Sequence, residues 1–430
     1  MKYLLTFASA LLLLMTACSK DDDKSDFTKN QASRAVMIYM SGENNLTSNS
    51  SGYRALQNDL SEIVEGSKTL AYNHRLFVFV DSLGTNEEQK GTPFIIEVHG
   101  GNVYERIKFD SDFSTADADK FREVVSWMTD NINADGYGLV LWGHATGWVV
   151  EKDSVPGPSR RAYGLDSGED LGSKNERWMN ITQMAQALDG LPKLDFIFAD
   201  CCNMMCAEVG YELRNVTDYL IGSPAEIPGP GAPYDIMLFN LFKTGSNLYN
   251  SIIDTYYEYY LEAYKAEYTS LAGYSVPLSV IDTKYMEELA TATRDILDKF
   301  TDGYPLAPDS PDLNGIAMYD GYDSPLMYDM RAFIKKHVSS DDFQTWEDIY
   351  RQAVPYYRMS MKWMTIYDGY NSYNLEAAMN TFDKDQSLYG CVSMFIPLNL
   401  TAYNGGEYAY NKIAAHFAWN RIMNWGNYGW

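Results

Sequence analysis

The stretch Phe196-Ile197-Phe198-Ala199-Asp200-Cys201-Cys202-Asn203-Met204 decides the fold, because in it a continuous apolar run ends abruptly at polar and reactive residues. An uninterrupted apolar run of this kind predicts a β-strand buried on both faces, which is typical of parallel sheets. The run Leu139 to Trp142 has the same form and ends two residues before His144. Both stretches therefore predict neighbouring central strands of an α/β protein.

Strands and amphipathic helices alternate outward from these two runs. The other predicted strands are Ala35–Met40, Arg75–Val80, Tyr219–Gly222 and Val276–Ile281, with a hairpin of Pro93–Val98 and Val103–Phe109. The predicted helices are Tyr53–Val64, Asp119–Ile132, Ile181–Leu188, Met204–Arg214, Asp235–Phe242, Tyr249–Tyr268 and Lys284–Phe300. This alternation predicts a mostly parallel sheet flanked by helices and joined by right-handed crossovers. A helical and mixed C-terminal extension follows at residues 301–430, with a predicted strand at Tyr389–Ile396.

Two strand ends contain candidate chemistry, because the carboxyl ends of parallel strands gather reactive groups at one edge of a sheet. His144 follows one strand and Cys202 follows the other. An imidazole beside a thiol is the minimum for nucleophilic acyl transfer, since the imidazole takes the proton and the thiolate attacks a carbonyl. Taken separately, a single His is more often structural, and a buried Cys more often acts as a small hydrophobic residue.

The alternation of side chains along a strand separates the two adjacent cysteines. Asp200 and Cys202 share one side and Cys201 takes the other, so only one thiol can face His144. We expect Cys202 at the start of the following helix, whose dipole would lower the pKa of its thiol. Cys201 is better explained by packing. A disulfide between the two cysteines is the alternative, and it would silence the nucleophile.

Composition narrows the possible functions. The chain has 430 residues, of which 34 are basic and 58 acidic, so the formal net charge is −24. Such acidity argues against binding nucleic acid, which needs clustered Lys and Arg. Five cysteines and five histidines, without a Cys-x-x-Cys or His-Glu-x-x-His pattern, argue against a structural zinc framework. Any chemistry must come from a few isolated residues.

The amino terminus has the form of a targeting signal. Residues 1–17 are predicted to be a lipoprotein signal peptide, because the apolar run Leu4–Met15 is far shorter than a membrane-spanning helix. The signal ends in Met15-Thr16-Ala17-Cys18, which resembles a bacterial lipobox with Cys18 as the lipidated residue. An ordinary signal peptide with a chance cysteine is the alternative. An acidic tether at residues 18–33 completes the prediction of a lipid-anchored outer-membrane protein exposed at the cell surface.

The strand-end motifs together resemble the clostripain family of cysteine peptidases, within the caspase-like clan. The resemblance runs over residues 34–283. The matching motifs are Tyr39-Met40-Ser41-Gly42-Glu43-Asn44-Asn45-Leu46, Trp142-Gly143-His144-Ala145-Thr146-Gly147-Trp148, Asp200-Cys201-Cys202-Asn203-Met204, the run from Gly222 to Gly229, and Pro233-Tyr234-Asp235. It implies a caspase-like peptidase domain at residues 34–300 and a thiol protease that works through a His144–Cys202 dyad and a thioester acyl-enzyme.

The resemblance also implies an oxyanion site and a substrate preference. The oxyanion is held by backbone amides in this family, here those of Ala145 and Cys202. The family usually has Gly after the His, so Ala145 restricts the backbone near that site. Family members cleave after Arg or Lys in proteins and peptides, and Asp200 fits the base of the specificity pocket, with Ser223 and Glu226 lining it. A helix cap at Asp200 and ordinary turn residues at the other two positions are the alternatives.

Processing, cofactors and assembly follow from the same resemblance. Family members are often activated by cleavage between the His and Cys strands, and Arg160 and Arg161 form the candidate site for autoprocessing. No cofactor is required, although some relatives need calcium, for which Asp166-Ser167-Gly168-Glu169-Asp170 is the candidate loop. A solvated acidic run without a metal is the alternative. We expect a monomer. The competing function is a catalytically inactive surface lipoprotein that binds proteins or glycans through aromatic-rich surfaces.

Overall fold

A computed structural model of the chain provides the geometry. It describes residues 31–47, 54–83, 91–149, 162–168, 177–267, 275–300, 312–313, 315–319, 327–360, 363, 386–398 and 410–425. The strands are β1 Arg34–Gly42, β2 His74–Ser82, β3 Phe94–His99, β4 Asn102–Lys108, β5 Tyr137–Trp142, β6 Tyr163–Asp166, β7 Arg177–Met179, β8 Leu194–Asp200, β9 Thr217–Gly222, β10 Leu278–Asp282, β11 Tyr328–Asp329, β12 Tyr356–Arg358 and β13 Ser393–Met394.

The helices lie between these strands in the chain. They are α1 Ala55–Gly66, α2 Ala118–Asn131, α3 Ile181–Leu188, α4 Ala207–Leu213, α5 Tyr234–Met237, α6 Ser246–Glu267, α7 Met286–Leu297, α8 Met330–His337, α9 Ser340–Ala353, α10 Tyr410–Ala414 and α11 Ala418–Met423. Short 3-10 turns cover Ser67–Thr69, Leu238–Phe242, Thr283–Tyr285 and Gln386–Leu388. Among the described residues, no helix combines the length and hydropathy needed to cross a bilayer.

A nine-stranded sheet organises the described part of the chain, in the order β12-β10-β9-β8-β5-β1-β2-β3-β4. The five central strands, from β9 to β2 in that order, run parallel to one another. The outer strands on both sides are antiparallel. The predicted fold class, a mostly parallel caspase-like sheet flanked by helices, is confirmed.

Alternating side chains of the central strands build two hydrophobic layers. In β1, Met37 and Tyr39 face one layer, whereas Val36, Ile38 and Met40 face the other. Helices α2, α3, α4 and α7 cover the first layer, and α1, α5 and α6 cover the second. A strand with both faces buried needs apolar residues at every position, which explains the uninterrupted runs in the sequence.

Helix α2 shows how local sequence and packing agree. Its N-cap Asp117 accepts hydrogen bonds from the amides of Asp119 and Lys120, at 2.9 and 3.0 Å. Such a cap stabilises a helix by about 1 kcal/mol. The predicted apolar stripe is buried as expected and consists of Phe121, Val124, Val125 and Met128.

The residues after position 300 pack on the same core. Strand β12 pairs with β10 at the edge of the main sheet. The amide of Phe395 donates to the Glu208 carboxylate at 3.0 Å, and Trp419 belongs to the hydrophobic layer that contains α4. The C-terminal extension therefore shares its core with the preceding part, and the boundary at residue 300 stays a prediction.

Two predicted elements are shorter than expected for a physical reason. Helix α4 begins at Ala207 rather than Met204, because Met205 pairs on both sides: its amide donates to Ser223 O and its carbonyl accepts from Ser393 N, each at 3.0 Å. The predicted strand Tyr389–Ile396 is reduced to β13, because Cys391 has a φ of 61° and its amide donates to Asp329 at 3.0 Å.

Candidate active site

The two predicted site residues leave adjacent strands at the same register. Trp142 of β5 pairs with Asp200 of β8, and His144 and Cys202 each follow two positions later. The loops beyond the strands also touch. Gly147 has a φ of +63°, and a Cβ placed on it would lie 2.3 Å from the carbonyl oxygen of Asn203. The structure therefore brings the His loop and the Cys loop into direct contact.

Strand β6 holds the His144 loop. The amide of Gly164 donates to the His144 carbonyl at 2.9 Å, and the amide of Thr146 donates to Ala162 O at 2.8 Å. Ala145 faces Tyr163 between these two bonds. In this antiparallel pattern the N–H of Ala145 points away from β6. The Ala145 N–H is therefore not used in the pairing with β6, as a donor to an oxyanion requires.

The Ala that replaces the usual Gly does not strain the loop. Among the described residues other than Gly, positive φ angles occur at Asn203, Cys391 and Asn424, and not at Ala145. An extended backbone suits any L-residue. The restriction expected at this position therefore has no conformational cost here.

Asn45 orients the imidazole of His144. Its Oδ1 lies 2.6 Å from His144 Nε2, and the ring centroid of Trp178 lies 6.4 Å from that of the imidazole. Because an amide oxygen accepts hydrogen bonds, this contact fits the His144 tautomer that has its proton on Nε2. Nδ1 is then the nitrogen that can accept a proton. Asn45 was quoted in the sequence motif but was not identified as a site residue.

Cys202 lies in a turn rather than at a helix terminus. Because α4 begins only at Ala207, the expectation that a helix dipole acts on this thiol is wrong. The half-buried Sγ instead accepts a hydrogen bond from the amide of Ile227 at 3.5 Å. The next residue, Asn203, has a φ of 60° and donates its amide to Ala225 O at 3.0 Å. A tight turn against the loop after β9 therefore presents the thiol.

The second cysteine is part of the core. Cys201 is fully buried in the layer opposite to Asp200, in agreement with the alternation along the strand. Burial raises the pKa of the Cys201 thiol well above its usual range. Both Cys201 and Cys202 are free thiols, so the alternative of a disulfide between them is not supported.

The predicted pocket residues surround the Cys202 turn, but Asp200 is enclosed. It is 2% exposed, and its carboxylate accepts hydrogen bonds from the amide of Ala232 at 3.1 Å, Tyr234 Oη at 2.8 Å and Tyr256 Oη at 3.1 Å. Burial raises the pKa of Asp200, and these three donors oppose the shift. These bonds, rather than a cap on the following helix, account for the carboxylate.

The loop after β9 contains the other two predicted pocket residues. Ser223 is buried, and its Oγ accepts a hydrogen bond from the amide of Ala225 at 3.1 Å. Glu226 is half-buried and precedes Ile227, whose amide contacts the Cys202 sulfur. Glu226 is thus a partly exposed carboxylate in the loop whose Ile227 amide contacts the Cys202 sulfur.

A second buried carboxylate, Asp59 of α1, lies beside Asp200. Asp59 accepts a hydrogen bond from Trp142 Nε1 at 2.6 Å. Burial, together with the charge of Asp200, raises the pKa of Asp59 to about 9. A Cβ on Gly231 would meet carboxylate oxygens of Asp200 and Asp59 at 3.0 and 3.2 Å, so this glycine covers the pair closely. No motif in the sequence indicated Asp59.

Comparison with protein families identifies the chain. The model of the clostripain family matches residues 38–421, which span both strand ends and most of the C-terminal part. The chain belongs to the clostripain family. A comparison with curated proteins gave no match.

Solved structures of cysteine proteases share the fold of this clostripain-family chain. A secreted cysteine protease from Bacteroides thetaiotaomicron, bound to an irreversible peptide inhibitor, is 27% identical with a TM-score of 0.72, and the match covers 92% of this chain and 100% of that one. An inactive zymogen from Parabacteroides distasonis is 22% identical with a TM-score of 0.66, covering 92% and 99%. A second secreted protease from Bacteroides thetaiotaomicron is 19% identical with a TM-score of 0.67, covering 92% and 99%. At these lower identities the last two show the fold alone.

Family and fold together make this clostripain-family chain a cysteine-type peptidase, a hydrolase of peptide bonds. The predicted family and enzyme class are confirmed. Three predicted functional residues, Cys18, Arg160 and Arg161, lie outside the described residues. Their roles in lipidation and processing stay predictions.

Proposed function

We propose that this peptidase is an endopeptidase that cleaves after Arg or Lys through His144 and Cys202. The register of the two central strands supports the proposal most, because the pairing of Trp142 with Asp200 sends both reactive residues out at the same edge. The contact between Gly147 and the Asn203 carbonyl keeps the two loops together beyond the strands.

In the proposed reaction, His144 Nδ1 takes the proton of the Cys202 thiol and the thiolate attacks the scissile carbonyl carbon. Asn45 holds Nε2 and so keeps Nδ1 as the base. The resulting oxyanion would accept hydrogen bonds from the backbone amides of Ala145 and Cys202. Ala145 suits this task because its N–H points away from β6.

Collapse of the tetrahedral intermediate breaks the peptide C–N bond, and protonated His144 gives its proton to the leaving amine. The acyl group then remains on Cys202 as a thioester. Water, deprotonated by His144, attacks the thioester carbonyl and releases the carboxylate product and the thiol. Every proton in this sequence passes through one imidazole, so a dyad is sufficient.

The proposed preference for Arg or Lys rests on negative charge beside Cys202. Asp200 lies two residues before the nucleophile and Glu226 lies one residue before the Ile227 amide that binds its sulfur. Because the donors around Asp200 already occupy its oxygens, we propose that Glu226 meets the substrate cation directly and Asp200 adds long-range attraction. Ser223 supports the loop through its bond to Ala225.

The site of action follows from residues outside the described part. We propose that lipidated Cys18 anchors the mature monomer to the outer membrane, facing extracellular proteins. Cleavage after Arg160 or Arg161 would separate the His144 loop from β6, whose described residues resume at Ala162. The chain would thus process itself with the preference proposed for its substrates.

One experiment tests the reaction, the nucleophile and the processing together. The mature chain without lipid is assayed on fluorogenic peptides ending in Arg, Lys or Asp. We expect turnover of the Arg and Lys peptides only, with a loss of about 10⁴-fold or more in kcat for Cys202→Ala and for His144→Ala. Intact mass should show the cut near Arg160 in the wild type and not in Cys202→Ala.

Cys201→Ala is the matched control, because it removes a neighbouring thiol that lies in the core. It should keep kcat within about tenfold of the wild type. Full activity in Cys202→Ala would refute the proposed nucleophile, and turnover of the Asp peptide would refute the proposed preference.

The competing function as an aromatic-rich binding lipoprotein lacks support among the described residues. Seven of the eight described tryptophans are buried rather than placed on a surface, and Trp127 is partly buried. The buried ones are Trp142, Trp148, Trp178, Trp346, Trp363, Trp419 and Trp425. The large exposed hydrophobic residues are Tyr72, Ile236, Phe239 and Tyr259. Aromatic residues in this chain mainly fill the core.

A further inference from the structure

Large hydrophobic side chains are exposed near the start of β2. Tyr72 is 84% exposed and lies two residues before His74, the first residue of that strand. Phe239 is 42% exposed, and its ring centroid lies 5.9 Å from that of His74. Ile236 is 57% exposed and precedes Phe239 by three residues in consecutive helical turns, so the two side chains share a face. We call Tyr72, Ile236 and Phe239 the apolar patch.

The segment that contains Phe239 reaches the edge of the sheet where the parallel strands begin, which we call the amino edge. Arg34, the first residue of β1, donates its guanidinium to Leu241 O at 3.3 Å and to the carbonyl of Lys243. Arg34 also pairs with His74 in the register of β1 and β2. The ammonium of Lys243 lies 5.9 Å from the ring centroid of Phe239. A cation therefore accompanies the apolar patch at this edge.

The described chain begins at the same edge. The amide of Ser33 donates to Asn73 O at 3.1 Å, so the chain enters β1 beside the residue that follows Tyr72. Thirteen positions separate Cys18, the residue proposed to be lipidated, from Gln31, the first described residue. At about 3.5 Å per residue these positions span at most about 45 Å. A lipid on Cys18 would therefore keep the amino edge within about 45 Å of a bilayer.

We propose that the apolar patch rests on the lipid bilayer and turns the amino edge of the sheet toward it. The proposal rests on the lipidation of Cys18 under the proposed function. Tyrosine settles at the headgroup level of a membrane, apolar side chains enter the acyl boundary, and lysine extends its ammonium to the surface. Because the anchor keeps the bilayer at an effective concentration in the millimolar range, a patch of three side chains can be sufficient.

A second copy of this chain is a less suitable occupant of the patch. A stable protein interface involves about 20–30 residues on each side, far more than the apolar patch contains. Two copies with a formal net charge of −24 each also repel one another. A surface of neutral phospholipid carries no net charge and does not add this repulsion. The bilayer is therefore the favoured partner.

This orientation would direct the reactive edge of the sheet away from the membrane. Strand β1 has nine residues and spans about 30 Å at about 3.3 Å per residue. Strands β5 and β8 run parallel to β1, and His144 and Cys202 follow their far ends. The peptidase would thus act about 30 Å above the headgroups, on protein segments that stand clear of the bilayer.

The test uses the mature Cys202→Ala chain, coupled through Cys18 to a maleimide phospholipid in phosphatidylcholine vesicles. The other cysteines of the folded part are buried, so coupling occurs at Cys18. Chemical coupling imposes the anchor, so the result depends neither on natural lipidation nor on the peptidase reaction. EGTA is present, because calcium could bridge lipid phosphates and the acidic loop predicted to bind it, of which Glu169 and Asp170 lie outside the described residues.

Contact with lipid is read by cross-linking. The vesicles contain phosphatidylcholine with a photoactivatable group near the headgroup, and tandem mass spectrometry locates the labelled residues. Tyr259 is the internal control, because it is 41% exposed and lies one helical turn beyond Tyr256, which binds Asp200 at the reactive edge. We expect labelling at Tyr72 and Phe239 to be about tenfold stronger than at Tyr259.

A matched pair of variants places the contact at the apolar patch. Ile236→Ser combined with Phe239→Ser should lower the labelling of Tyr72 about fivefold, and the fold should persist because both side chains are exposed. Tyr259→Ser should leave the labelling of Tyr72 unchanged. Equal labelling of Tyr72 and Tyr259, unchanged labelling in the double variant, or cross-links mainly between two copies of the chain would each overturn the proposal. Acylation of Cys18 in cells and turnover of the Arg peptide, measured separately, test the proposed function.

Discussion

Asp200 and Asp81 are buried to the same degree at the same edge of the sheet, yet their surroundings are opposite. Their exposed fractions are 2% and 0%. Asp200 accepts hydrogen bonds from one amide and two tyrosine hydroxyls, whereas the donor that acts on Asp81 is the backbone amide of the next residue, Ser82. The comparison teaches that burial alone does not indicate the role of a carboxylate, and that the hydrogen-bond donors around it must be considered as well.

This difference divides the carboxyl edge of the sheet into two functional halves. On the β8 side, a carboxylate satisfied by neutral donors fixes the chain from Ala232 to Tyr234 beneath the Cys202 turn. On the β1 and β2 side, the buried carboxylates of Glu43, Asp81 and Asp166 converge, with one oxygen of each within 4.8 Å of the others. His144 follows β5, which lies between β8 and β1 in the sheet, and its Nε2 contacts Asn45 in the segment after β1.

The largest predicted effect comes from making the same substitution in both halves. Asp200→Asn should lower the free energy of unfolding by about 2–3 kcal/mol, because its NH₂ group meets donors that need an acceptor. Asp81→Asn should raise it by about 1–2 kcal/mol, because burial and the nearby charge of Glu43 raise the pKa of Asp81 and an amide in its place has no ionisation to suppress. Urea unfolding at pH 7, in the Cys202→Ala background, measures both values.

The opposite signs are the decisive feature of that experiment. Asp130→Asn, which changes an exposed acid at the end of α2, serves as the control and should stay within about 0.5 kcal/mol of the parent chain. Destabilisation of similar size by both buried substitutions would show that the two acids have equivalent environments, and the distinction between the halves would then be wrong.

A second prediction concerns Asn45, which links the halves. Asn45→Ala should lower kcat by about 10- to 100-fold and leave KM nearly unchanged, because the imidazole loses its orientation while the pocket is intact. Asn45→Asp retains an acceptor oxygen beside Nε2 and should recover most of the activity. Steady-state kinetics on the Arg peptide provides the measurement.

An exposed asparagine elsewhere gives the control for that prediction. Asn102→Ala in the β3–β4 hairpin should leave both constants unchanged. If Asn45→Ala raised KM and left kcat alone, Asn45 would belong to substrate binding rather than to the positioning of His144.

The sequence was sufficient for the parts of the fold that depend on local pattern. Apolar runs predicted the central strands, and their parity predicted that Cys201 packs in the core. The start of α4 was not predictable, because Met205 is held extended by Ser223 and Ser393, residues distant in the chain. Contacts between distant segments leave no periodic signal in a single sequence.

The same limit applies to the candidate site. His144 and Cys202 could be found because each ends an apolar strand, where reactive groups gather. Asp59 and Asp81 could not be found, because each lies inside a helix or a strand and its environment is set by residues that are distant in the chain. A charged residue within an otherwise buried element was the available signal.

The last prediction concerns Asp59, which lies beside Asp200 in the β8 half and accepts a hydrogen bond from Trp142. Trp142 donates to one of its oxygens, and the other has no partner among the described residues. Burial, with the Asp200 charge second, raises its pKa from 3.8 to about 9. The folded state holds this proton and the unfolded state releases it above about pH 4. The contribution of Asp59 to the free energy of unfolding is therefore greatest below about pH 4 and falls until about pH 9, by up to about 1.4 kcal/mol per pH unit.

The variant Asp59→Asn isolates the contribution of the Asp59 proton to the pH dependence of unfolding from the contributions of the other titratable groups. The amide keeps an acceptor for the Trp142 N–H but has no proton to lose, so its free energy of unfolding should fall less steeply between about pH 6 and pH 8 than that of the parent chain. Urea unfolding at several pH values, in the Cys202→Ala background, compares the slopes, with Asp130→Asn as the variant that should keep the parent slope. Equal slopes in all three chains would mean that Asp59 is ionised in the fold. The β8 half would then contain two adjacent buried charges, like Glu43, Asp81 and Asp166 on the other side, and the contrast with the β1 half would be lost.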